Sequence, residues 1–129
     1  MSFSADIAAF PQKAGESLDK TVRNVTIELG TAVMKDTPID EGRAKGNWQT
    51  TVGSPATGII DRIGENGAIA ELVQNAGGAG SVTYIANNLP YIYRLELGWS
   101  KQRAPYAMVR KNFTRIESMI NSAVQKNKV

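Results

Sequence analysis

The chain has 129 residues, 42% of them hydrophobic and 21% charged, with 15 basic against 12 acidic side chains for a net charge of +3. That length fits one domain over residues 1–129 with one hydrophobic core, burying roughly two-thirds of the unfolded surface without covalent staples. With no Cys, disulfide scaffolds, thiolate nucleophiles and the usual structural zinc sites are excluded; with no His, the commonest metal ligand and the usual near-neutral titrating group are missing.

Residues 1–10 lack the basic start and apolar run of a secretory signal, and no stretch approaches ~18 consecutive apolar residues, so no membrane partner is expected. Basic residues cluster only at Lys101-Gln102-Arg103, Arg110-Lys111 and the Lys126-Asn127-Lys128 tail, the pattern of solvated helix faces and ends.

The first strong periodicity spans residues 11–35. Leu18, Val22, Val25, Leu29 and Val33 recur at helical spacing, and Pro11 suits a first turn, where its missing donor costs nothing. Gly15 and Gly30 lower the propensity, so packing must hold this helix. Asp36-Thr37-Pro38 ends it. Asp40-Glu41-Gly42-Arg43 reads as a turn in which Asp40 caps a short helical turn over residues 42–45.

Trp48, Thr50 and Val52 alternate with polar residues, which predicts a half-buried strand over 47–53 ended by Ser54-Pro55. Residues 57–63 fit either a loop or a second short strand. Residues 68–76 predict a short helix with Ala68, Leu72 and Ala76 on one face, stopped by Gly77-Gly78-Ala79-Gly80. Residues 81–87 predict a strand, with Val82, Tyr84 and Ala86 on one side and Thr83 and Ile85 on the other. Asn88-Leu89-Pro90 opens a helical turn through Leu97, closed by Gly98. After a loop, Val109, Phe113, Ile116, Ile120 and Val124 predict a second long helix over 105–126, flanked by Met119 and Ala123. The expected class is α+β: two long amphipathic helices, N- and C-terminal, packed on a small, mainly antiparallel sheet with short intervening helices.

Chemical motifs are sparse. The Gly77–Gly80 run lacks the Lys-Ser/Thr of a nucleotide loop and precedes a strand, not a helix, so it reads as a connection. Asp36, Asp40, Glu41 and Asp61 show neither calcium-loop spacing nor a defined pairing for acid–base work, and capping and solvation account for them. A serine nucleophile has no His as base and no Ser-x-x-Lys pattern. No catalytic, cofactor or metal residue is therefore assigned. Tyr84, Tyr91, Tyr93 and Trp99 combine buriable area with a polar handle and suit core and interface alike. Arg94 with Glu96, and Arg43 with Asp40 or Glu41, are candidate charge pairs that would fix register between subunits. Lys101 and Arg103, between Trp99 and Pro105, are placed to reach a partner or DNA.

Two segments carry a family likeness: Thr37-Pro38-Ile39-Asp40-Glu41-Gly42-Arg43-Ala44-Lys45-Gly46-Asn47-Trp48, and Asn87-Asn88-Leu89-Pro90-Tyr91-Ile92-Tyr93-Arg94-Leu95-Glu96-Leu97-Gly98-Trp99-Ser100-Lys101-Gln102. Ala104-Pro105-Tyr106-Ala107-Met108-Val109 continues the pattern. In order and spacing the chain resembles the tail-completion or neck (head–tail joining) proteins of tailed double-stranded DNA phages, including minor tail protein Z-like proteins. The likeness falls on Asp40, Gly42, Arg43 and Trp48, then Asn88, Pro90, Tyr91, Glu96, Gly98 and Trp99, then Pro105 and Met108. Glu41 departs from it where a small Thr is commoner, and Tyr106 is bulky where Gly or Ala is usual.

The resemblance implies a non-enzymatic virion protein without cofactor, assembled in the host cytoplasm. It implies a homo-oligomeric ring, six-fold by expectation, at the head–tail junction. Adjacent tail terminator, tail tube or head connector proteins are its implied partners, and DNA passes through the lumen with at most weak contact. The alternative is a small nucleic-acid-binding accessory protein using Lys101, Arg103, Arg110 and Lys111.

Overall fold

The computed structural model describes residues 3–39, 42–98 and 106–126, with side chains from Leu18 onward in the first helix. Its elements are α1 (Phe3–Asp36), α2 (Arg43–Gly46), β1 (Gln49–Val52), α3 (Glu65–Asn75), β2 (Thr83–Ala86), α4 (Ile92–Leu97), α5 (Arg110–Phe113) and α6 (Ile116–Lys126). The class is α+β, with helices around a two-stranded antiparallel sheet. The register pairs Gln49 with Ala86, Thr50 with Ile85, Thr51 with Tyr84 and Val52 with Thr83.

Helix α1 packs against α3, α5 and α6, and α3 packs against β1. At Gly30 the approach is tight: a methyl there would lie 2.8 Å from Leu72 Cδ2 and 2.9 Å from Ile85 Cδ1. That glycine lets α3 and β2 settle onto α1. Val33, Met34, Trp48, Leu72, Leu89 and Met108 form the centre of the core. Of the expected α1 stripe, Val33 is buried, Val22, Val25 and Leu29 are half-buried, and Leu18 is 56% exposed. Pro11 falls inside α1, not in its first turn.

The expected cap, Asp40, lies outside the described residues. The N-cap position is Gly42, in the left-handed region at φ 73°, with no side-chain cap. The strands are shorter than the alternation suggests, and residues 57–63 form no strand. On the sheet, Thr50 is fully buried and Ile85 packs on the core, so this cross-strand pair marks the inward face. The outer edge of β1 is closed by α3: Glu71 Oε1 accepts the Thr50 N–H at 2.9 Å, and Asn75 Nδ2 donates to the Thr50 carbonyl at 2.9 Å.

The helix expected over 105–126 is two helices. Thr114 Oγ1 donates to the Lys111 carbonyl at 2.6 Å, and the Arg115 N–H turns back three residues to the Asn112 carbonyl at 3.1 Å. Both contacts favour a tight turn over continued α-helix. The inward face is also rotated by one residue. Met108, Asn112, Met119 and Ala123 are buried, whereas Phe113, Ile120 and Val124 are 52%, 42% and 46% exposed. Asn112 sets this rotation, since its Nδ2 donates to Asp36 Oδ2 at 2.8 Å and to the Met108 carbonyl at 2.6 Å.

At the end of α2, Gly46 lies against the main chain of Arg62, and a methyl there would overlap the Arg62 carbonyl. A rigid backbone atom cannot yield as a side-chain tip does. Gly46→Ala is therefore expected to destabilise the fold by about 3 kcal/mol, the upper part of the overpacking range, measured by urea or thermal unfolding.

Candidate assembly surface

The site is built outward from the carboxyl end of α1, whose last carbonyls have no partner within the helix. Lys45, only 6% exposed, is pinned there: Nζ donates to the Met34 carbonyl at 3.1 Å and the Lys35 carbonyl at 2.9 Å. A cation at this end also complements the helix dipole. Glu65 Oε1 lies 3.6 Å from the same ammonium and balances it. Thr37 Oγ1 donates to the Val33 carbonyl at 2.7 Å and accepts Trp48 Nε1–H at 2.9 Å. The buried indole thus hangs from the same helix end.

Asparagines then tie the loops to this anchor. Asn47 Nδ2 donates to the Arg43 carbonyl at 3.0 Å, while its Oδ1 accepts the Ile60 N–H at 2.9 Å. Asn87 Nδ2 donates to the Ala44 carbonyl at 2.9 Å, which joins the two resembling segments directly. Asn88 Nδ2 reaches the Ala56 and Gly58 carbonyls at 2.9 and 3.1 Å. Gly42 accepts the Gly64 N–H at 2.8 Å, and a methyl on it would come 2.7 Å from Ile63 Cγ2.

A second bracket forms around Glu96. Its Oε1 accepts the Val109 N–H at 2.8 Å and its Oε2 accepts the Arg110 N–H at 3.1 Å. Arg110 Nε donates to Oε2 at 3.0 Å, and Arg110 Nη2 to the Glu96 carbonyl at 2.7 Å. Burial pushes this carboxyl up, but the two backbone N–H groups and the Arg110 guanidinium outweigh it and hold it below its ordinary value. The expected Arg94–Glu96 pair does not form. Residues two apart on a helix do not face each other, and Glu96 is taken by Arg110.

The other expected site residues separate clearly. Trp48 is core, Tyr91 is half-buried against the core, and Tyr106 packs there too, its N–H donating to the Leu95 carbonyl at 2.8 Å. Arg43 is exposed and makes no ion pair among the described residues. Arg94 is exposed, and Tyr93 is 75% exposed. Asp40, Glu41, Trp99, Lys101 and Arg103 lie outside the described residues, and with them the Arg43–Asp40 and Arg43–Glu41 pairings.

Asp36 binds Asn112 and lies 3.8 Å from Lys111 Nζ, whereas Asp61 stands exposed elsewhere. Among the described residues no group of three or more acidic side chains is arranged to hold a metal ion, and no helix is long and apolar enough to cross a membrane. Gly77–Gly80 joins α3 to β2, with the Gly77 N–H donating to Thr83 Oγ1 at 3.0 Å. Lys45, Arg62, Asn87 and Asn112 were not singled out by sequence reasoning. Arg62 and Asn87 stand beside short apolar runs, whereas Lys45 and Asn112 sit among polar neighbours and carry no local signal.

Several large apolar side chains are left on the surface among the charged ones. Ile39 and Ile63 are 77% and 73% exposed at the α2 end, Tyr93 and Leu97 project from α4, and Phe113, Ile120 and Val124 line the outer side of α5 and α6. Comparison with protein-family models, curated proteins and solved structures returned no match to this chain.

The Glu96 bracket sets a pH dependence. A carboxylate held low in the folded state contributes stability above its unfolded value, and that contribution is lost as pH falls through the folded one. Glu96→Gln is expected to cost about 1–2 kcal/mol at neutral pH. It should also flatten the loss of stability below the ordinary carboxylate range, read from unfolding midpoints at stepwise pH.

Proposed function

We propose that this chain is a structural virion protein of a tailed phage, forming a homo-oligomeric ring at the head–tail junction. There it completes the tail or joins it to the head connector, next to tail terminator, tail tube or connector proteins. One observation carries the reading: the two resembling segments converge into a buried polar scaffold at the end of α1, while large apolar side chains are left on the surface. Exposed large apolar side chains, grouped here at the α2 end, on α4 and along α5–α6, are the material of association sites. Six-fold closure follows from the resemblance, as does loose passage of DNA through the lumen. In this reading α1 and the α5–α6 pair serve as two long amphipathic supports packed on the sheet, whose outer sides meet neighbours.

The mechanism is assembly chemistry, with no substrate turned over. Apolar contacts supply adhesion and charged side chains at their rim supply register. The nucleic-acid reading is less favoured because Arg110 is engaged by Glu96 and Lys111 lies near Asp36, which leaves those cations partly neutralised.

Ile120→Asp tests this directly. The side chain is already 42% exposed, so stability should shift by no more than about 0.5 kcal/mol. Virion yield should collapse, with unjoined heads and tails in electron micrographs. A chain absent from purified virions, whose deletion leaves assembly intact, would defeat the reading. DNA binding by anisotropy should be weak and vanish with added salt, because a channel rich in phosphate contacts would retain the DNA.

A further inference from the structure

We propose that the ring contact is strand addition: residues 59–63 of one copy lie along the open edge of β2 in the next copy. This rests on the ring reading and names the surfaces that build it.

The edge follows from the register. The Gly53 N–H reaches the Val82 carbonyl at 3.0 Å, so the hydrogen-bonded pairs are Gly53–Val82, Thr51–Tyr84 and Gln49–Ala86. The intervening residues point their main-chain groups sideways. For Thr50 those groups go to Glu71 and Asn75. For Thr83 and Ile85 they point away from β1, and no hydrogen bond reaches them among the described residues. Another extended main chain would supply donors and acceptors at that two-residue spacing. Beyond the edge runs a groove of about 320 Å³ between α1 and α5, walled by Val25, Leu29, Ile85, Val109 and Phe113. With a helix on its far side, it takes a single strand bearing aliphatic side chains, not a second whole sheet.

Residues 59–63 have the matching character. Exposure alternates along them: Ile59, Asp61 and Ile63 are exposed, whereas Ile60 and Arg62 are half-buried. The inward residues are bound, Ile60 N–H to Asn47 and Arg62 to the Gly46 and Trp48 carbonyls, both at 2.7 Å. The main chains of Ile59 and Asp61 make no hydrogen bond among the described residues. They offer donors and acceptors two residues apart, as Thr83 and Ile85 do. Asp61 stands between the two exposed isoleucines of this segment, and the exposed Arg115, which donates to Asn112 Oδ1 at 3.1 Å, follows Phe113 by two residues in the sequence.

The two surfaces lie on opposite sides of the sheet. Arg62 Nη2 is 3.4 Å from the Glu71 carboxylate that closes the β1 edge, whereas the groove lies beyond β2. A donor on one side and an acceptor on the other make a head-to-tail contact, the kind that closes into a ring.

Because the chain has no cysteine, a cross-link between introduced thiols reports this contact cleanly. The full-length Ile59→Cys/Phe113→Cys double variant, oxidised mildly, should give a ladder of covalent multimers ending at the ring number. A mixture of the two single variants should stop at one covalent dimer, and either single variant alone should cross-link at least tenfold less. Efficient self-linking of one single variant would overturn the proposal in favour of two-fold pairing. Absence of links in a protein that native mass measurement shows to be a ring would also overturn it, while leaving the ring standing. A chain that is monomeric alone and missing from virions would remove both.

Discussion

The carboxyl end of α1 imposes the constraint on which the rest of the molecule depends. A long helix ends with carbonyls that need donors, and burying that end without them costs on the order of 1–3 kcal/mol per group. Here the donors are the Lys45 ammonium and the Thr37 N–H and hydroxyl. Satisfying them forces the chain to turn at once, brings α2 beneath α1 and delivers Trp48 to the Thr37 hydroxyl. The sheet begins at the next residue, so its position is inherited from this anchor.

The same economy explains why several polar residues are buried. Asn47 and Asn112 are fully buried, yet each side chain spans segments distant in sequence: residue 60 to α2, and α5 to the end of α1. Each replaces a stretch of regular structure that the short chain does not have. Buried amides with satisfied partners also specify one arrangement among many compact ones, because a shifted register would strand them. Among the described residues, the buried Thr50 Oγ1 and Glu65 Oε2 make no hydrogen bond.

The legibility of this chain followed its periodicity. The helix around Ala68 and Leu72, the strand containing Thr83–Ala86 and the Gly98 stop were readable because pattern and punctuation agreed. The last helix misled because two neighbouring stripes compete. Val109, Phe113, Ile120 and Val124 are the more apolar, but Asn112 is tied to Asp36 and turns Met108, Met119 and Ala123 inward instead. A tertiary hydrogen bond 76 residues apart in sequence has no local signature. The Glu96 bracket was illegible for the same reason: Arg94 is near in sequence but off its face of the helix, and the fold supplied Arg110 from fourteen residues on. Among the candidate interface or motif residues, Trp48 is buried and Tyr91 and Tyr106 pack against the core, whereas Tyr93 stands out from the molecule.

Strand β2 is only four residues long, and that brevity bears on how copies would recognise one another. An edge this short gives few main-chain bonds, so a single pairwise encounter would be feeble and quickly undone. In a closed ring of the kind proposed, each copy would be gripped from two sides and a broken contact would re-form at high effective concentration. Partial arcs would dissolve while complete circles endure, which discards misplaced copies before they are locked in.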